Sequence, residues 1–130
     1  MSNGKTNKTK GSNAERYYAE EFRKLGFKHC VTSRFGSRIS DNAKIDLINI
    51  PFNVQIKAGH QRGMKPSKVL KDMEEEIEKY FPKGSDVYDK LSLVIHKQAV
   101  GKGKKRTEHD EIVHMSFETF KNLIKKIKWE

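Results

Sequence analysis

Cysteine is nearly absent from this sequence. Cys30 is the only one among 130 residues, which excludes a disulfide within one chain and a zinc site made of several thiolates. The five histidines do not show the spacing of zinc ligands, so we interpret them as surface or packing residues. This composition predicts an intracellular protein.

A long hydrophobic run is also missing. No apolar stretch approaches the roughly 20 residues that span a bilayer, and the first residues are too polar for a signal peptide. We therefore expect a cytoplasmic, soluble protein with no membrane partner.

Acidic residues are the scarcer charge. The chain carries 27 Lys and Arg against 17 Asp and Glu, a formal net charge of +10. The basic residues cluster at 5–10, 34–44 and 102–106, whereas the acids concentrate at 72–78. Such a surplus favours a polyanionic partner, of which nucleic acid is the commonest, although an acidic membrane surface would give the same composition. The separation of basic and acidic clusters along the chain predicts one basic face, with the acidic helix pointing away from it.

The apolar pattern predicts an α/β protein with a flexible basic arm at 1–10 and a single domain at 11–130. The first helix begins with a capping box at Ser12, and Ser116 caps the last helix, whose aromatic residues are expected in the core. A polar loop occupies 34–42, and the strand at 91–95 is apolar on both faces and therefore central. The predicted elements are a helix, three strands, a helix, two strands and a helix, at 12–25, 27–33, 45–49, 52–57, 66–80, 91–95, 111–115 and from 116.

The most informative pattern lies on the hairpin of the second and third strands. If its turn centres between residues 50 and 51, Asp46 lies opposite Gln55 and Lys44 opposite Lys57. Side chains alternate along a strand, so Asp46, Gln55 and Lys57 share one face. Opposed residues have Cβ atoms roughly 5 Å apart, so Asp46 and Gln55 could hold one cation between them. The apolar residues that share the other face are Ile45, Leu47, Val54 and Ile56.

The same alternation has a simpler interpretation. An antiparallel hairpin with one solvated face shows polar residues at alternate positions whatever its function. Short motifs of this kind are weak signals when taken alone.

Glu15 on the first helix also has two interpretations. As the third helical residue of the capping box it would accept the Ser12 amide proton. At ~100° per residue, however, Glu15 falls only about 20° from the buried Phe22, so it could face the sheet and join Asp46 at a metal. The two roles are compatible.

The order of elements and the charged residues together resemble the PD-(D/E)XK nuclease superfamily. Within it, the N-terminal half resembles the archaeal-type Holliday junction resolvases. The resemblance implies a restriction-endonuclease-like core, with a mixed central sheet of about five strands flanked by helices. The residues that carry it, in the family's order, are Lys10-Gly11, Glu15-Arg16, Gly26-Phe27, Arg34, Ser37, Asp46 and Lys57.

The resemblance implies a homodimeric endonuclease that uses Mg²⁺, with Mn²⁺ as a substitute, to cut four-way DNA junctions. Asp46, Glu15, Gln55 and the Ile56 carbonyl would supply its metal ligands, and Lys57 would act on the attacking water and the phosphate. Ser37 would lie near the scissile phosphate. The residues expected to bind DNA are Lys10, Arg34, Arg38, Lys44 and Arg62.

Gln55 departs from the family, because an acid is usual at that position. An amide oxygen binds a hard cation less strongly than a carboxylate does, unless Glu15 makes up the charge. Gln is familiar at this position in Mrr-like restriction nucleases of the same superfamily.

Three functions follow as hypotheses: a junction-selective nuclease, a nuclease of the same fold acting on linear, nicked or mismatched duplex, and a nucleic-acid binding protein without chemistry. A compact nuclease would suit a virus or mobile element as well as a cell.

Overall fold

The protein is described from a computed structural model that covers residues 3–59, 64–100 and 108–129. Two of the helices are short, with four and five residues, and a 3-10 turn at Asp86–Asp89 precedes the fourth strand. None of the helices in the described ranges is both long and apolar enough to cross a membrane. The elements in chain order are α1 (Asn3–Lys24), β1 (Val31–Thr32), α2 (Ser33–Gly36), α3 (Arg38–Asn42), β2 (Leu47–Ile48), β3 (Phe52–Ala58), α4 (Pro66–Tyr80), β4 (Leu91–Val100), β5 (Glu108–His114) and α5 (Phe117–Lys126).

The strands form two sheets within the described residues. β4 lies between β3, to which it runs parallel, and β5, to which it runs antiparallel, while β1 and β2 make a small antiparallel pair. The α/β class, the central position of β4 and the helix at Pro66–Tyr80 are confirmed. A single sheet of about five strands is not present, because β1 and β2 pair with each other and not with the larger sheet.

The predicted antiparallel hairpin between the second and third strands is wrong. β2 pairs with β1, and β3 pairs in parallel with β4. The Asp46 carbonyl accepts from the Ser33 amide at 2.8 Å, so it is not available for a ladder with β3. Asn49 then turns the chain at a positive φ of 65°, and its side-chain amide donates to the His29 carbonyl at 2.9 Å. Lys44 also has a φ of 65° and precedes the strand, so it does not lie opposite Lys57.

The first helix is longer than predicted. α1 begins at Asn3 and includes residues 3–10, which were expected to form an arm. The capping box is therefore wrong, because Ser12 lies inside the helix, where the backbone amides already have helical acceptors. The predicted strand at 27–33 shortens to β1, and the polar loop at 34–42 instead folds into α2 and α3.

Helices cover both faces of β3. On one face, α1 contributes Tyr18 to a buried cluster with Leu47, Val54 and Ile56. On the other face, the Asn53 side-chain amide donates to the Val87 carbonyl at 2.9 Å. Residues 53–56 are consequently all buried. A solvated hairpin face is therefore excluded for Asn53 and Gln55, and of the four predicted apolar residues only Ile45 belongs to a different cluster, around Met73.

The C-terminal helix is correctly predicted in position but not in burial. Ser116 caps α5 by accepting from the Thr119 amide at 3.0 Å. No residue of α5 is buried, and Phe117 is 72% exposed. The expectation that its aromatic residues join the core is therefore wrong, because Phe117 and Phe120 are exposed on this helix. Other apolar side chains exposed on β5 and beside α5 are Ile112, Val113, Phe120, Ile127 and Trp129.

Met73→Ala tests the cluster beneath α4. Met73 is fully buried among Ala43, Ile45 and Ile77, so the truncation leaves a cavity. We expect the free energy of unfolding to fall by about 2–5 kcal/mol, measured by urea denaturation. Leu25→Ala, at a side chain that is 74% exposed, is the control and should change it by less than about 0.5 kcal/mol. Equal losses in both variants would contradict this packing.

Candidate metal site

Asp46 is fixed at two points beside β3. Its amide donates to the Val54 carbonyl at 2.8 Å, and its carboxylate Oδ2 accepts from the Ile56 amide at 2.7 Å. These partners flank Gln55 in sequence. Asp46 therefore lies next to β3 at Gln55, held by one backbone and one side-chain hydrogen bond and not by the predicted antiparallel ladder.

Glu15 reaches the same place from α1. The residue is only 4% exposed, and its carboxylate lies close enough to Asp46 for each to shift the pKa of the other. The interpretation in which Glu15 faces the sheet is thus confirmed. The helix geometry accounts for it, because Ala14, Tyr18 and Ala19 on the same side of α1 are buried as well.

The two carboxyl groups resist ionisation. Burial raises the pKa of Asp46 to about 7, and the charge of Glu15 adds to this effect, while the Ile56 amide, Arg34 and Lys57 act in the opposite direction. Burial also raises the pKa of Glu15, against the attraction of Arg34. Two neighbouring carboxyl groups whose pKa values are raised by burial are typical of a functional site.

Arg34 supplies part of that counter-charge. From α2, its Nε lies 3.0 Å from Glu15 Oε2, and its Nη2 donates to Oε1 at 3.2 Å. The approach to Oε2 is an ion pair without hydrogen-bond geometry, which leaves Oε2 without a hydrogen bond. The Arg34 side chain is 47% exposed, so it could move to an incoming phosphate. The sequence pointed to Arg34 as a DNA ligand and missed its pairing with Glu15.

Gln55 and Lys57 lie on β3 at alternate positions and therefore on one face. Gln55 is buried, and its Oε1 has no hydrogen-bond partner in the described part of the chain. Lys57 is partly exposed and lies near enough to lower the pKa of Asp46. Across the parallel ladder, Lys57 lies beside His96 of β4. Glu15 and Lys57 thus lie near enough to Asp46 to shift its pKa, and Gln55 lies between the two residues of β3 that hydrogen-bond to Asp46.

Asp41 is a further carboxylate near the site that sequence reasoning missed. Its charge raises the pKa of Glu15, and its Oδ1 lies 3.4 Å from Ser33 Oγ. The position of Asp41 depends on α3, which the sequence did not reveal, so no signal could have found it.

Ser37 is occupied as a helix cap. Its hydroxyl accepts from the Ser40 amide at 3.2 Å at the start of α3. That bond accounts for the residue structurally, and its contact with a phosphate stays a prediction. Arg38 and Lys44 are exposed, and Lys10 lies in α1. Arg62, His60 and the basic cluster at 102–106 lie outside the described residues.

The donor set suits a hard cation. Glu15 Oε2 and Gln55 Oε1 are buried acceptors without hydrogen bonds, and Asp46 adds a carboxylate beside them. Magnesium prefers such oxygen ligands and binds through only one or two carboxylates. Across residues 3–59, 64–100 and 108–129, no group of three or more His, Cys, Asp and Glu side chains is arranged around a metal position. A cation here would therefore depend on two carboxylates together with amide and carbonyl oxygens.

Comparisons of the chain with protein-family models, with curated proteins and with solved structures find no match.

Proposed function

We propose that this protein is a Mg²⁺-dependent endonuclease of the PD-(D/E)XK type that cleaves branched DNA. The observation that carries the proposal is the pairing of buried Glu15 with partly buried Asp46, near enough to Lys57 for its charge to lower the pKa of Asp46. A purely structural acid pair gains little from burial, because the desolvation of two like charges costs stability. A site that binds a divalent cation recovers that cost.

Each residue has a distinct part in the proposed reaction. Magnesium, when bound, would polarise the phosphate and make a water molecule more acidic. Asp46, Glu15 and Gln55 hold the cation, and the Ile56 amide fixes Asp46 by its bond to Oδ2. The Lys57 ammonium orients the water and stabilises negative charge on the phosphate. Water then attacks phosphorus, the bond to one ester oxygen breaks, and that oxygen takes up a proton.

The substrate class follows from the charge of the whole chain. The net charge of +10 favours a polyanion, and Arg34, Arg38 and Lys44 lie on the elements that surround the acids. Contacts from such residues to phosphates carry no base-sequence information, so they fit selection by the shape of a four-way junction.

The proposal includes a twofold dimer, because a junction is cut on two symmetric strands. Several apolar residues of β5 and α5 are exposed, Phe117 and Phe120 among them. Grouped apolar residues of this kind mark interaction surfaces, whereas single scattered ones do not, so we propose this surface for the dimer.

A competition assay tests the substrate. A labelled four-way junction and a duplex of the same sequence are placed in one reaction with Mg²⁺. We expect the junction to be cut faster. Equal or faster cutting of the duplex would assign the protein to the nucleases of linear, nicked or mismatched DNA.

A binding protein without chemistry is the second candidate. Two observations favour it: Gln55 is neutral, and Arg34 already pairs with Glu15. The two candidates differ in their response to metal, because a ligand that binds only the folded state raises the melting temperature. A nuclease should show a Mg²⁺-dependent rise that is lost in Asp46→Ala, whereas a binding protein should show none.

Gln55→Glu tests whether the amide limits metal affinity. A carboxylate in place of the Gln55 amide adds a charged ligand, so the Mg²⁺ concentration needed for half-maximal cleavage should fall by about tenfold, in the range found for changes around metal sites. Measurement above pH 8 keeps Asp46 ionised, because its pKa is about 7. Asn53→Asp, one pleat away on β3 and hydrogen-bonded to Val87, is the control and should not lower that concentration. An unchanged or higher requirement in Gln55→Glu would remove Gln55 from the ligand set.

A further inference from the structure

A cavity of about 390 Å³ is lined by residues of α1, β1 and α2, and α1 and α2 also carry Glu15 and Arg34. Its volume falls at the small end of ligand pockets, which span about 300–1,000 Å³. Ala19, Val31 and Phe35 supply its apolar lining. Phe35 is 85% exposed, which is unusual for an aromatic ring that has an apolar cavity next to it.

The rim of this cavity is basic. Arg16 and Arg23 line it, and neither has an acidic partner within 4.0 Å in the part of the chain that the structure describes. The Arg23 guanidinium is fixed by donating to the Cys30 carbonyl at 2.7 Å. Glu20 also lines the cavity, but Lys24 lies 4.0 Å from its carboxylate. The combination of a flat apolar wall and two guanidinium groups matches a base with its flanking phosphates.

The cavity is continuous in sequence with the acid pair. Phe35 directly follows Arg34, whose guanidinium contacts Glu15, and Arg16 directly follows Glu15 in α1. Helices α1 and α2 thus each carry a residue of the acid site and a residue of the cavity lining. A DNA strand bound at the acids can extend along these two helices, which would bring a neighbouring nucleotide to the cavity.

We propose that this cavity receives an unstacked DNA base next to the cleaved phosphodiester, with the Phe35 ring stacked on it and Arg16 and Arg23 on its phosphates. The inference rests on the proposed nuclease function and adds how the enzyme selects DNA. A branch point or a single strand offers such a base, whereas an intact duplex must first unstack one. The exposed Phe35 thus makes branched DNA the better ligand.

The test measures binding apart from cleavage. A single-stranded oligonucleotide that carries 2-aminopurine is titrated with the full chain in EDTA, and its fluorescence reports stacking of the probe base. We expect native protein to quench the probe, Phe35→Ala to bind about tenfold to a hundredfold more weakly without quenching, and Phe35→Trp to restore both. Tyr80→Ala, at an exposed ring at the end of α4, is the matched control and should bind like the native chain.

Three outcomes would overturn the inference: no quenching by native protein, equal binding by native protein and Phe35→Ala, or equal weakening by Tyr80→Ala. A change of Phe35→Ala from dimer to monomer in sedimentation, with unchanged DNA binding, would assign the cavity to a second copy of the chain instead. Because no metal is present, loss of quenching bears on the cavity alone. Quenching by a chain that never cuts DNA in Mg²⁺ would contradict the nuclease proposal and leave the cavity as a binding site.

Discussion

Asp46→Asn should abolish DNA cleavage and leave junction binding nearly intact. The side chain keeps its size and an oxygen that can accept from the Ile56 amide, but it loses the charge that holds the cation. We expect the cleavage rate to fall by about a thousandfold or more, comparable with removal of a group that stabilises transition-state charge. Single-turnover cleavage and a gel-shift assay on the same junction measure the two properties. Strong cutting by the variant would remove Asp46 from the site.

The same variant should be more stable than the native chain at high pH without metal. The pKa of Asp46 is raised from 3.8 to about 7 in the folded protein. The folded state therefore binds more protons than the unfolded state between these values, and native stability falls as pH rises from about 4 to 7. Asparagine does not titrate, so Asp46→Asn should exceed the native free energy of unfolding at pH 8 by about 2–4 kcal/mol.

Asp72→Asn is the control for this measurement. Asp72 is paired with Lys68, which lowers its pKa, so its replacement should give no stabilisation at pH 8. Urea unfolding at pH 5 and pH 8 with EDTA separates the two variants. Lower stability of Asp46→Asn than of the native chain at pH 8 would contradict a raised pKa of Asp46 in the folded protein.

Lys57→Met should uncouple metal binding from catalysis. Methionine preserves the apolar stem of Lys57 but removes the ammonium, so the attacking water and the phosphate lose a positive charge. We expect cleavage to fall by about a hundredfold to a thousandfold. Lys57 also lowers the pKa of Asp46, so the experiment is done near pH 8.5, where Asp46 stays ionised and Mg²⁺ still binds.

Lys83→Met, at an exposed lysine that follows α4, controls for the loss of one positive charge from the chain. It should weaken DNA binding slightly and leave the single-turnover rate unchanged. If Lys57→Met lost Mg²⁺ binding as well, measured by thermal shift, its role would be structural and not catalytic.

Local pattern was enough to predict part of the arrangement. Gln55 and Lys57 could be grouped because alternation in a strand fixes which side chains share a face, whereas Asp46 was placed beside them through a hairpin register that is wrong. Glu15 could be placed because helical spacing relates it to the buried Phe22. The strand β4 was recognisable as central from its continuous apolar run.

The connections between elements could not be predicted in the same way. A hairpin was the simplest link between β2 and β3, but the bond from the Ser33 amide to the Asp46 carbonyl redirects that strand. Such a bond joins residues that are distant in sequence, and no local pattern encodes it. The Arg34 pair with Glu15 depends in turn on α2, whose four residues carry no periodic signal.

The prediction that the aromatic residues of α5 are buried was wrong for a related reason. Its apolar stripe has the spacing of a core helix, and spacing alone does not say whether a core or another surface receives it. Phe117 and Phe120 remain exposed in this single chain.

The decisive measurement for a Mg²⁺-dependent junction nuclease is cleavage of a synthetic four-way junction by the native chain, with Mg²⁺ and with EDTA. We predict paired nicks near the branch point in Mg²⁺, none in EDTA and none from Asp46→Asn. Stable junction binding without cleavage in either Mg²⁺ or Mn²⁺ would contradict it.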